Sequence, residues 1–435
     1  MGGNKKGGTS RQSRLDKAHA RAEAAAAAKA AAAAAAKEEE ERVHEEEGFY
    51  EEIDGSMLEG GGQVVRGGCA LAALLQRPVR ITRVRAGRAQ PGLKRQHVAG
   101  LQLLGELYGA GSLTGVHEGS RTITFTPTTF AWPPQAMHTE TESPAETEAG
   151  EIAPLVLDVN VGTAGSVALV MQTAVPVLLA RAGTLGSGQD VVLRVTGGTH
   201  VAQAPPVTYL AACLVPRLRA MGAACTVAVE RYGFYPRGGG RATVRVGALH
   251  TPLAPLVDTD PRAPVVRCTV RVCVAGVGGD VGTRAAQAAV ARLRERAGVP
   301  ADAVECAVED VGAASAGTGM WVEVYATTAR GQVLGASSVG RRGVRAEAVA
   351  AEAAEHLLAD LAQGGAVDEY LQDQLLVFMA MARGRSALRV GRLSLHTQTM
   401  VALVNQLARA PIVTTAPADD GHPGNIIFCN GLGLC

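Results

Sequence analysis

Apolar and polar positions along the chain switch repeatedly between a helical and a strand period. Residues 63–75 place apolar side chains three and four positions apart, which predicts a helix with one face on a sheet. The alternation of apolar and polar side chains that begins at residue 79 predicts a strand at 79–85, and residues 94–107 return to the helical period. A strand followed by a helix and then by another strand indicates a layered α/β fold.

This order of elements recurs from Asp54 onward and predicts three βαβαββ repeats packed about a pseudo-threefold axis. The second repeat begins near Asp158 and the third near Asp368. The other predicted elements are a hairpin at 114–126, helices at 162–183, 204–223, 370–384 and 396–410, strands at 191–197 and 387–390, a hairpin at 226–246 and a closing hairpin. Such an axis brings equivalent helix ends together, so that Gln96 and His97 correspond to about His396.

The predicted large domain covers 49–257 and 365–435, and a smaller inserted α/β domain at 258–364 interrupts it. The insertion contains a strand, a helix, two strands and a second helix, which are enough to enclose a core. Residues 1–48 form an Ala- and Glu-rich tail, disordered or a lone helix, that is either a solvated appendage or a partner-binding arm. The acidic segment 133–151 lacks apolar periodicity and is predicted to be a disordered loop.

Composition narrows the class of protein. The chain has 435 residues, of which 47% are apolar, and a formal net charge of +1. This length favours two domains, and the balanced charge means that a local patch must hold any nucleic acid. Eight cysteines without a CxxC pair favour a reducing compartment over a disulfide or zinc framework. We expect neither a membrane span nor a secretory signal.

The side chains best suited to chemistry are concentrated between Asp54 and His97. This stretch joins a glycine run to a helix, a strand and a second helix, and its polar groups stand at the ends of these elements. Those groups are Glu59, Arg66, Arg85, Arg88, Gln96 and His97. Arginines beside a glycine turn suit a bound phosphate, because the guanidinium fork matches phosphate oxygens. His97 either orients such a phosphate or caps its helix.

His396 is the candidate nucleophile. It follows a short predicted strand and begins a helix, where free N–H groups attract an anion and the positive helix end disfavours imidazolium. A neutral imidazole that faces a phosphate is what nucleophilic attack at phosphorus requires. The alternative interpretation is a histidine that only caps the helix.

A second group of polar side chains suits a nucleotide. Tyr370, Asp373 and Gln374 share one helix face, where a ring beside a carboxylate suits a purine above a metal-bound phosphate chain. An ordinary amphipathic helix explains the same spacing. Gln172 lies in an apolar run and needs a partner, either structural or in the site. Pro205 precedes the next helix and could form another wall of a base pocket, although proline is common at helix starts.

Two common nucleotide-binding motifs are missing from the sequence. It has no GxxxxGK[ST] phosphate loop and no GxGxxG turn after a strand, which disfavours a P-loop ATPase and a Rossmann dinucleotide site. The glycine turn GFYPRGGGR at 233–241 allows close approach of a ligand to the backbone, but a hairpin bulge explains its glycines equally well.

Six separated motifs resemble the RNA 3′-terminal phosphate cyclase family in sequence and in order. They are DGSMLEGGGQVVR, VRAGRAQPGLKRQH, VGTAGSVALVMQT, GFYPRGGG, EYLQDQL and SLHTQT. The resemblance extends from about Ile53 to the C-terminus and leaves out the tail and the acidic loop. It implies a large domain of three repeats with a small inserted α/β domain.

The resemblance also implies a reaction and a set of site residues. ATP and a divalent metal, Mg²⁺ or Mn²⁺, adenylylate a histidine, the adenylyl group passes to an RNA 3′-phosphate, and the 2′-hydroxyl closes a 2′,3′-cyclic phosphate. By this resemblance His396 is the nucleophile, and Glu59 and Asp373 are metal and ATP-site carboxylates. The ATP contacts are Gln172, Pro205, Tyr370, Asp373 and Gln374, and the phosphate and RNA-end contacts are Arg66, Arg85, Arg88, Gln96 and His97. A nuclear location is expected on the same basis.

Two other functions remain open at this stage. Cyclase-like relatives that lack the histidine and several of the arginines act as non-catalytic factors in ribosome assembly, whereas this chain has His396 and the arginines. A threefold-repeat transferase of small anionic metabolites shares the architecture but does not require the HTQT and EYLQDQ motifs. The sequence alone leaves the oligomeric state undetermined.

Overall fold

The computed structural model of the chain describes residues 49–133, 153–185 and 188–435. The predicted tail at 1–48 and all but the first residue of the predicted acidic loop at 133–151 lie outside these residues. Residues Glu52–Cys435 form one compact unit of mixed α/β structure. The described strands form four sheets of four strands each.

The first sheet is built from the N-terminal part of that unit. Its strands are β1 (Glu51–Asp54), β2 (Val79–Thr82), β3 (Leu113–Thr114) and β4 (Ile123–Phe125), in the order β1-β2-β4-β3. Helix α1 (Gln63–Leu75) follows β1, and helix α2 (Arg95–Tyr108) follows β2. Helix α1 has the bounds that its apolar periodicity predicts, β2–β4 and α2 lie within a few residues of the predicted elements, and β1 was not among those predicted.

The second sheet repeats this strand order. Its strands are β5 (Leu155–Asn160), β6 (Val191–Gly197), β7 (Cys225–Arg231) and β8 (Gly240–Val246), in the order β5-β6-β8-β7. Strands β5 and β6 are parallel with Leu157 opposite Leu193, whereas β8 is antiparallel to β6 and β7. Helix α3 (Val167–Arg181) joins β5 to β6. The segment between β6 and β7 forms α4 (Val207–Tyr209), a π-helical turn (Leu210–Leu214) and α5 (Val215–Ala220).

After β9 (Val257–Asp258), the chain forms a sheet with a hydrophobic core of its own. Its strands are β10 (Val265–Ala275), β11 (Val304–Asp310), β12 (Gly319–Thr328) and β13 (Val333–Val339), in the order β11-β10-β12-β13. Helices α6 (Gly279–Arg296) and α7 (Ala346–Ala362) pack on each other and on this sheet. Their buried alanines and leucines, such as Ala289 and Leu357, meet β10 and β12 in a core cluster separate from the main one.

The C-terminal elements complete a fourth sheet. Helix α8 (Glu369–Met381), β14 (Arg383–Val390), helix α9 (Leu395–Ala408), β15 (Val413–Pro417) and β16 (Asn425–Leu432) follow one another. The order in the sheet is β15-β16-β14-β9, so the short strand β9 is its fourth member. The first, second and fourth sheets therefore have the same topology. If the four strands of each sheet are numbered in chain order, their spatial order is 1-2-4-3 in all three sheets.

The helices of these three sheets meet in the main core. Helix α1 packs against α3 and α9, α2 packs against α3, and α8 packs against α9. Helix α3 has an apolar stretch, Val167–Leu185, long enough to cross a membrane, with a mean hydropathy of 1.4. Because 78% of that stretch is buried in the protein, it behaves as the core helix of the fold.

Two predicted elements differ from the observed ones for identifiable reasons. The strand predicted at 79–85 ends at Thr82, because Arg83 and Arg85 adopt the left-handed region with φ of 50° and 53°. The helix predicted at 204–223 is not continuous: a π-helical turn precedes Pro216, which has no N–H to donate to an earlier carbonyl. Strands β1, β5, β9 and β13 were not among the predicted elements.

Candidate active site

His396 is the second residue of α9 and stands at the start of that helix. Ser394 caps the helix by accepting a hydrogen bond from the Thr397 N–H at 3.1 Å. The His396 side chain is half exposed, at 49%. The pKa of His396 lies below the ordinary histidine value, first because of burial and then because of the nearby charges of Arg66 and Arg88, while Glu369 opposes the shift. The imidazole is therefore neutral near pH 7.

Gln63, the first residue of α1, connects His396 to Asp373 of α8. The Gln63 amide nitrogen donates to Asp373 Oδ2 at 2.5 Å, and the Gln63 amide oxygen lies 2.5 Å from His396 Nδ1. Because an amide oxygen can only accept, Nδ1 carries the proton and Nε2 keeps its lone pair. Three helices that are far apart in sequence thus fix which nitrogen of His396 can react.

Glu59 lies on the Nε2 side of the same ring. Its Oε1 is 3.9 Å from His396 Nε2 and contacts the guanidinium of exposed Arg88. Its backbone N–H donates to Thr399 Oγ1 at 3.3 Å, which ties the turn before α1 to α9. Glu59 Oε2 is buried and has no hydrogen-bond partner among the described residues. A buried carboxylate oxygen without a partner is uncommon and suits a ligand.

Arg66 is the cation that these groups share. It lies one helical turn after Gln63 in α1, and burial lowers its pKa to about 10 while the charge of Asp373 opposes the shift. Its charge in turn lowers the pKa of His396, His97 and Asp373. Burial dominates at Asp373 and raises the pKa of that carboxyl to about 7. One guanidinium therefore sets the electrostatic environment of the whole cluster.

His97 is buried and caps its own helix. Its Nδ1 accepts a hydrogen bond from the Lys94 N–H at 3.0 Å, so Nε2 carries the proton. Burial first, and then the charges of Arg66, Arg85 and Lys94, lower the pKa of His97 to about 3. The capping interpretation of His97 is thus confirmed. The ring remains neutral among cations, and its Nε2–H is available to an anion.

Arg85 and Gln96 border the cluster. Arg85 does not end a strand, as was predicted: it lies in a turn after β2 and donates to the carbonyl oxygens of Gln90 and Gly92, both at 2.8 Å. Gln96 is half-buried at the second position of α2, the position that His396 occupies in α9. The expected correspondence of Gln96 and His97 with His396 therefore falls on Gln96.

The residues expected to contact a nucleotide divide into two groups. Gln172, Asp373 and Gln374, together with Arg66, line a cavity of about 50 Å³ between α1, α3, α5 and α8. Gln374 donates from its amide nitrogen to the Tyr370 carbonyl oxygen at 2.6 Å, and its buried amide oxygen has no partner among the described residues. Gln374 and Gln172 thus add uncharged polar groups beside Arg66 and Asp373 in a narrow, mostly apolar space.

Tyr370 and Pro205 are not among the residues that line this cavity. Tyr370 is half-buried at the start of α8, with its ring edge-on to Tyr209 at 6.4 Å between centroids. Pro205 is half-buried two residues before α4. The structure therefore joins Gln172, Asp373 and Gln374 to the cluster around Arg66 and leaves Tyr370 and Pro205 outside that cavity.

Sequence reasoning did not single out Gln63. Gln63 looked like an ordinary first residue of an amphipathic helix, although its spacing of three from Arg66 places both on one helix face. Thr399 could be recognised from the sequence as a neighbour of His396, but its contact with Glu59 could not. Thr399 is buried, accepts from the Glu59 N–H and donates to the Leu395 carbonyl oxygen at 2.7 Å.

The side chains of this site suit a divalent cation and the phosphates bound to it. Among the described residues, no group of three or more His, Cys, Asp or Glu side chains could hold a metal ion alone. Mg²⁺ commonly binds through one or two carboxylates and completes its shell with waters and substrate phosphates. The unpartnered Oε2 of Glu59 supplies such a carboxylate oxygen, and Arg66, Arg88 and His97 offer donors to phosphate.

Comparison with known proteins gives a consistent set of relatives. The family model described as RNA 3′-terminal phosphate cyclase matches residues 57–413. A Dictyostelium discoideum protein named probable RNA 3′-terminal phosphate cyclase is 34% identical over 88% of this chain and 82% of its own length. Proteins named RNA 3′-terminal phosphate cyclase from Hyperthermus butylicus and Drosophila melanogaster are 37% and 33% identical. These two matches cover 82% and 88% of this chain and 90% and 96% of the relatives.

Proposed function

Because the chain belongs to the RNA 3′-terminal phosphate cyclase family, and is thus an enzyme that acts on RNA, we propose that it forms a 2′,3′-cyclic phosphate in an ATP-dependent reaction through adenylylated His396. The observation that carries the proposal is the environment of His396. Its ring is half exposed, its Nδ1 is held by Gln63, its Nε2 is 3.9 Å from Glu59 Oε1, and burial together with the charges of Arg66 and Arg88 lowers its pKa.

In the first step the lone pair on His396 Nε2 attacks the α-phosphorus of ATP. A nitrogen–phosphorus bond forms while the bond to the pyrophosphate oxygen breaks. The imidazole gains positive charge, and the Gln63 oxygen stabilises the Nδ1–H of that charged ring. Arg66 and Arg88 offset the negative charge that accumulates on the phosphates.

In the second step an oxygen of the RNA 3′-phosphate attacks the same phosphorus and releases His396. The ribose 2′-hydroxyl then attacks the RNA phosphorus, loses its proton and expels AMP, which closes the cyclic phosphate. Arg85, Gln96 and His97 are proposed to hold the RNA 3′-phosphate. The cationic surroundings and the Nε2–H of buried His97 support that role.

Glu59 and Asp373 would hold the divalent cation, Mg²⁺ or Mn²⁺, which supplies charge neutralisation to the triphosphate when it is bound. Gln172, Pro205, Tyr370 and Gln374 are proposed to contact the nucleoside of ATP. The unpartnered oxygen of Gln374 and the cavity that it shares with Gln172 support this assignment. Nuclear localisation stays a prediction.

The architecture that would assemble this site is three repeats with an insertion. We propose that the first, second and fourth sheets with their helices are the βαβαββ units of a large domain at 49–257 and 365–435. Their shared strand order supports this division. The separate hydrophobic core of β10–β13, α6 and α7 supports an inserted domain at 258–364.

A direct assay tests the proposed reaction. The purified chain is incubated with ATP, Mg²⁺ or Mn²⁺ and a labelled RNA oligonucleotide that ends in a 3′-phosphate, and the product is treated with phosphatase. We expect ends that resist phosphatase and that form only when ATP is present. Ends that remain phosphatase-sensitive with every metal, or that become resistant without ATP, would contradict the proposal.

A further inference from the structure

An aromatic and basic hairpin tip lies outside the residues assigned above. Between β7 and β8, the residues Tyr235, Pro236 and Arg237 are all exposed, and the Tyr235 side chain is 78% exposed. The preceding Phe234 is only 2% exposed and packs against Trp321, with 5.4 Å between ring centroids. We refer to Tyr235, Pro236 and Arg237 as the hairpin tip.

The hairpin tip is held in place from two sides. The Tyr232 N–H donates to the Ala314 carbonyl oxygen at 2.7 Å, and the Ala316 N–H donates to the Tyr232 carbonyl oxygen at 2.8 Å. On the other side, Gly238 has a φ of +63° and lies so close to Thr163 that a Cβ there would be 2.7 Å from its carbonyl oxygen. Because these contacts fix the base of the hairpin, the exposed Tyr235 ring loses less conformational entropy when it binds a ligand.

The loop at 161–165 connects this tip to the candidate site. Gly238 of the hairpin rests on Thr163 and Ala164, and a Cβ on Gly165 would lie 2.8 Å from the Gln96 Oε1. Gln96 precedes His97, whose free Nε2–H is proposed above to face the RNA 3′-phosphate. The hairpin and Gln96 therefore lie against the same short loop.

The charge of the hairpin suits a polyanion. Residues 230–241 contain Arg231, Arg237 and Arg241 against one acidic residue, Glu230, whose carboxylate is 4.0 Å from Arg241. A single exposed tyrosine is common on protein surfaces and has no significance alone. Here the ring belongs to a hairpin held on two sides, is two residues from an exposed arginine, and lies on a hairpin whose base contacts the loop that touches Gln96.

We propose that the hairpin tip binds the single-stranded RNA just upstream of the terminal nucleotide, with Tyr235 stacked on a base and Arg237 on a backbone phosphate. This inference rests on the proposed function. An aromatic face stacks on any base, and an arginine contacts the backbone without reading sequence. The tip therefore holds RNA ends of any sequence and guides the 3′-phosphate toward His97 and His396.

The test measures binding of the full chain to a fluorescent ten-nucleotide RNA with a 3′-phosphate, by anisotropy over a range of salt concentrations. For Tyr235→Ala we expect the Kd to rise roughly 5- to 150-fold, the size of one lost base–aromatic stack, while Tyr235→Phe retains tight binding. Arg237→Ala should reduce the salt slope by about 0.7, the loss of one phosphate contact on a single strand. Arg345→Ala, at a side chain that is 80% exposed and immediately precedes α7, is the matched control and should leave both quantities unchanged.

Labelling of each variant by ATP alone separates this inference from the proposed function. Loss of RNA affinity in Tyr235→Ala with normal protein labelling supports the inference. If the wild-type chain is labelled and cyclises RNA but Tyr235→Ala binds RNA with an unchanged Kd, the inference is overturned and the proposed function is not. The hairpin tip would then contact a different partner, such as a protein. A wild-type chain without labelling or cyclisation overturns the proposed function instead.

Discussion

The proton of His396 is held on Nδ1 because the oxygen of Gln63 accepts it, and this leaves Nε2 as the reactive nitrogen. The orientation of Gln63 is itself fixed by Asp373, since only the amide nitrogen can donate to that carboxylate. Nothing in the sequence pattern marks Gln63, because a glutamine at a helix start is ordinary until the partner helices are known. His396, by contrast, could be predicted from its place at a helix start and from its motif.

We predict that Gln63→Leu slows labelling of the protein by ATP about 10- to 150-fold. The substitution keeps the approximate size of the side chain but removes a hydrogen bond to a ring that becomes charged, worth roughly 1.5–3 kcal/mol. Single-turnover labelling measures the effect. Gln102→Leu, at an exposed position of α2, serves as control and should label at the wild-type rate. Equal rates for Gln63→Leu and the wild type would refute the assignment.

The pH dependence of labelling reports the charges around His396. Attack requires neutral imidazole, and the pKa of His396 is lowered by burial and then by Arg66 and Arg88. We therefore expect labelling to be constant near neutral pH and to fall only below the ordinary histidine range. Removing a cation raises the pKa, so Arg88→Ala should move the acid limb to higher pH, whereas Arg88→Lys should not. A limb that stays fixed or moves to lower pH in Arg88→Ala would contradict this electrostatic account.

At the scale of elements, the start of α8 joins three parts of the fold. Asp368 is fully buried and caps α8 by accepting from the N–H groups of Tyr370 and Leu371, both at 3.1 Å. It also accepts from the Gly335 N–H of β13 at 3.0 Å and from the Tyr209 hydroxyl. The helix was predicted from its periodicity. Its buried cap partners were not, because β13 was missed and the segment around Tyr209 was read as one continuous helix.

Asp360, near the end of α7, makes this junction sensitive to pH. Burial, followed by the charges of Asp368 and Glu369, raises the pKa of Asp360 to about 8. A carboxyl whose folded pKa is raised is protonated in both states below its unfolded pKa, and it costs stability as pH rises from that value to the folded pKa. We predict that Asp360→Asn raises the Tm by an amount that grows from about pH 4 to about pH 8 and is constant at higher pH. Thermal unfolding of this variant beside the exposed control Asp302→Asn measures the difference. A gain in Tm that does not grow with pH would exclude ionisation of Asp360 as its cause.

Turns and helix interruptions were the elements least accessible to sequence reasoning. Arg83 and Arg85 lie in the segment predicted as a strand, yet their positive φ values end β2 at Thr82. The apolar spacing through 204–223 continues across a π-helical turn, because a π turn changes hydrogen bonding without removing the buried face. Periodicity predicts which side of a segment is buried and does not predict where its hydrogen bonding changes.

At the scale of the whole molecule, the site depends on segments far apart in the chain. Glu59, Gln63 and Arg66 come from the N-terminal sheet and its first helix, and Asp373 and His396 from two C-terminal helices. Periodicity predicted these helices, but only the packing of α1 against α9 shows that Gln63 and His396 meet. Packing also accounts for the apolar length of α3, which is buried within the main core.

The most direct test of the account is to locate the adenylyl group. The chain is incubated with α-labelled ATP and Mn²⁺ without RNA, digested, and the labelled peptide is identified by mass spectrometry. We predict an acid-labile AMP on His396, complete loss of label in His396→Ala, and normal label in His356→Ala, an exposed histidine of α7. Label on another residue, or persistent label in His396→Ala, would contradict the account.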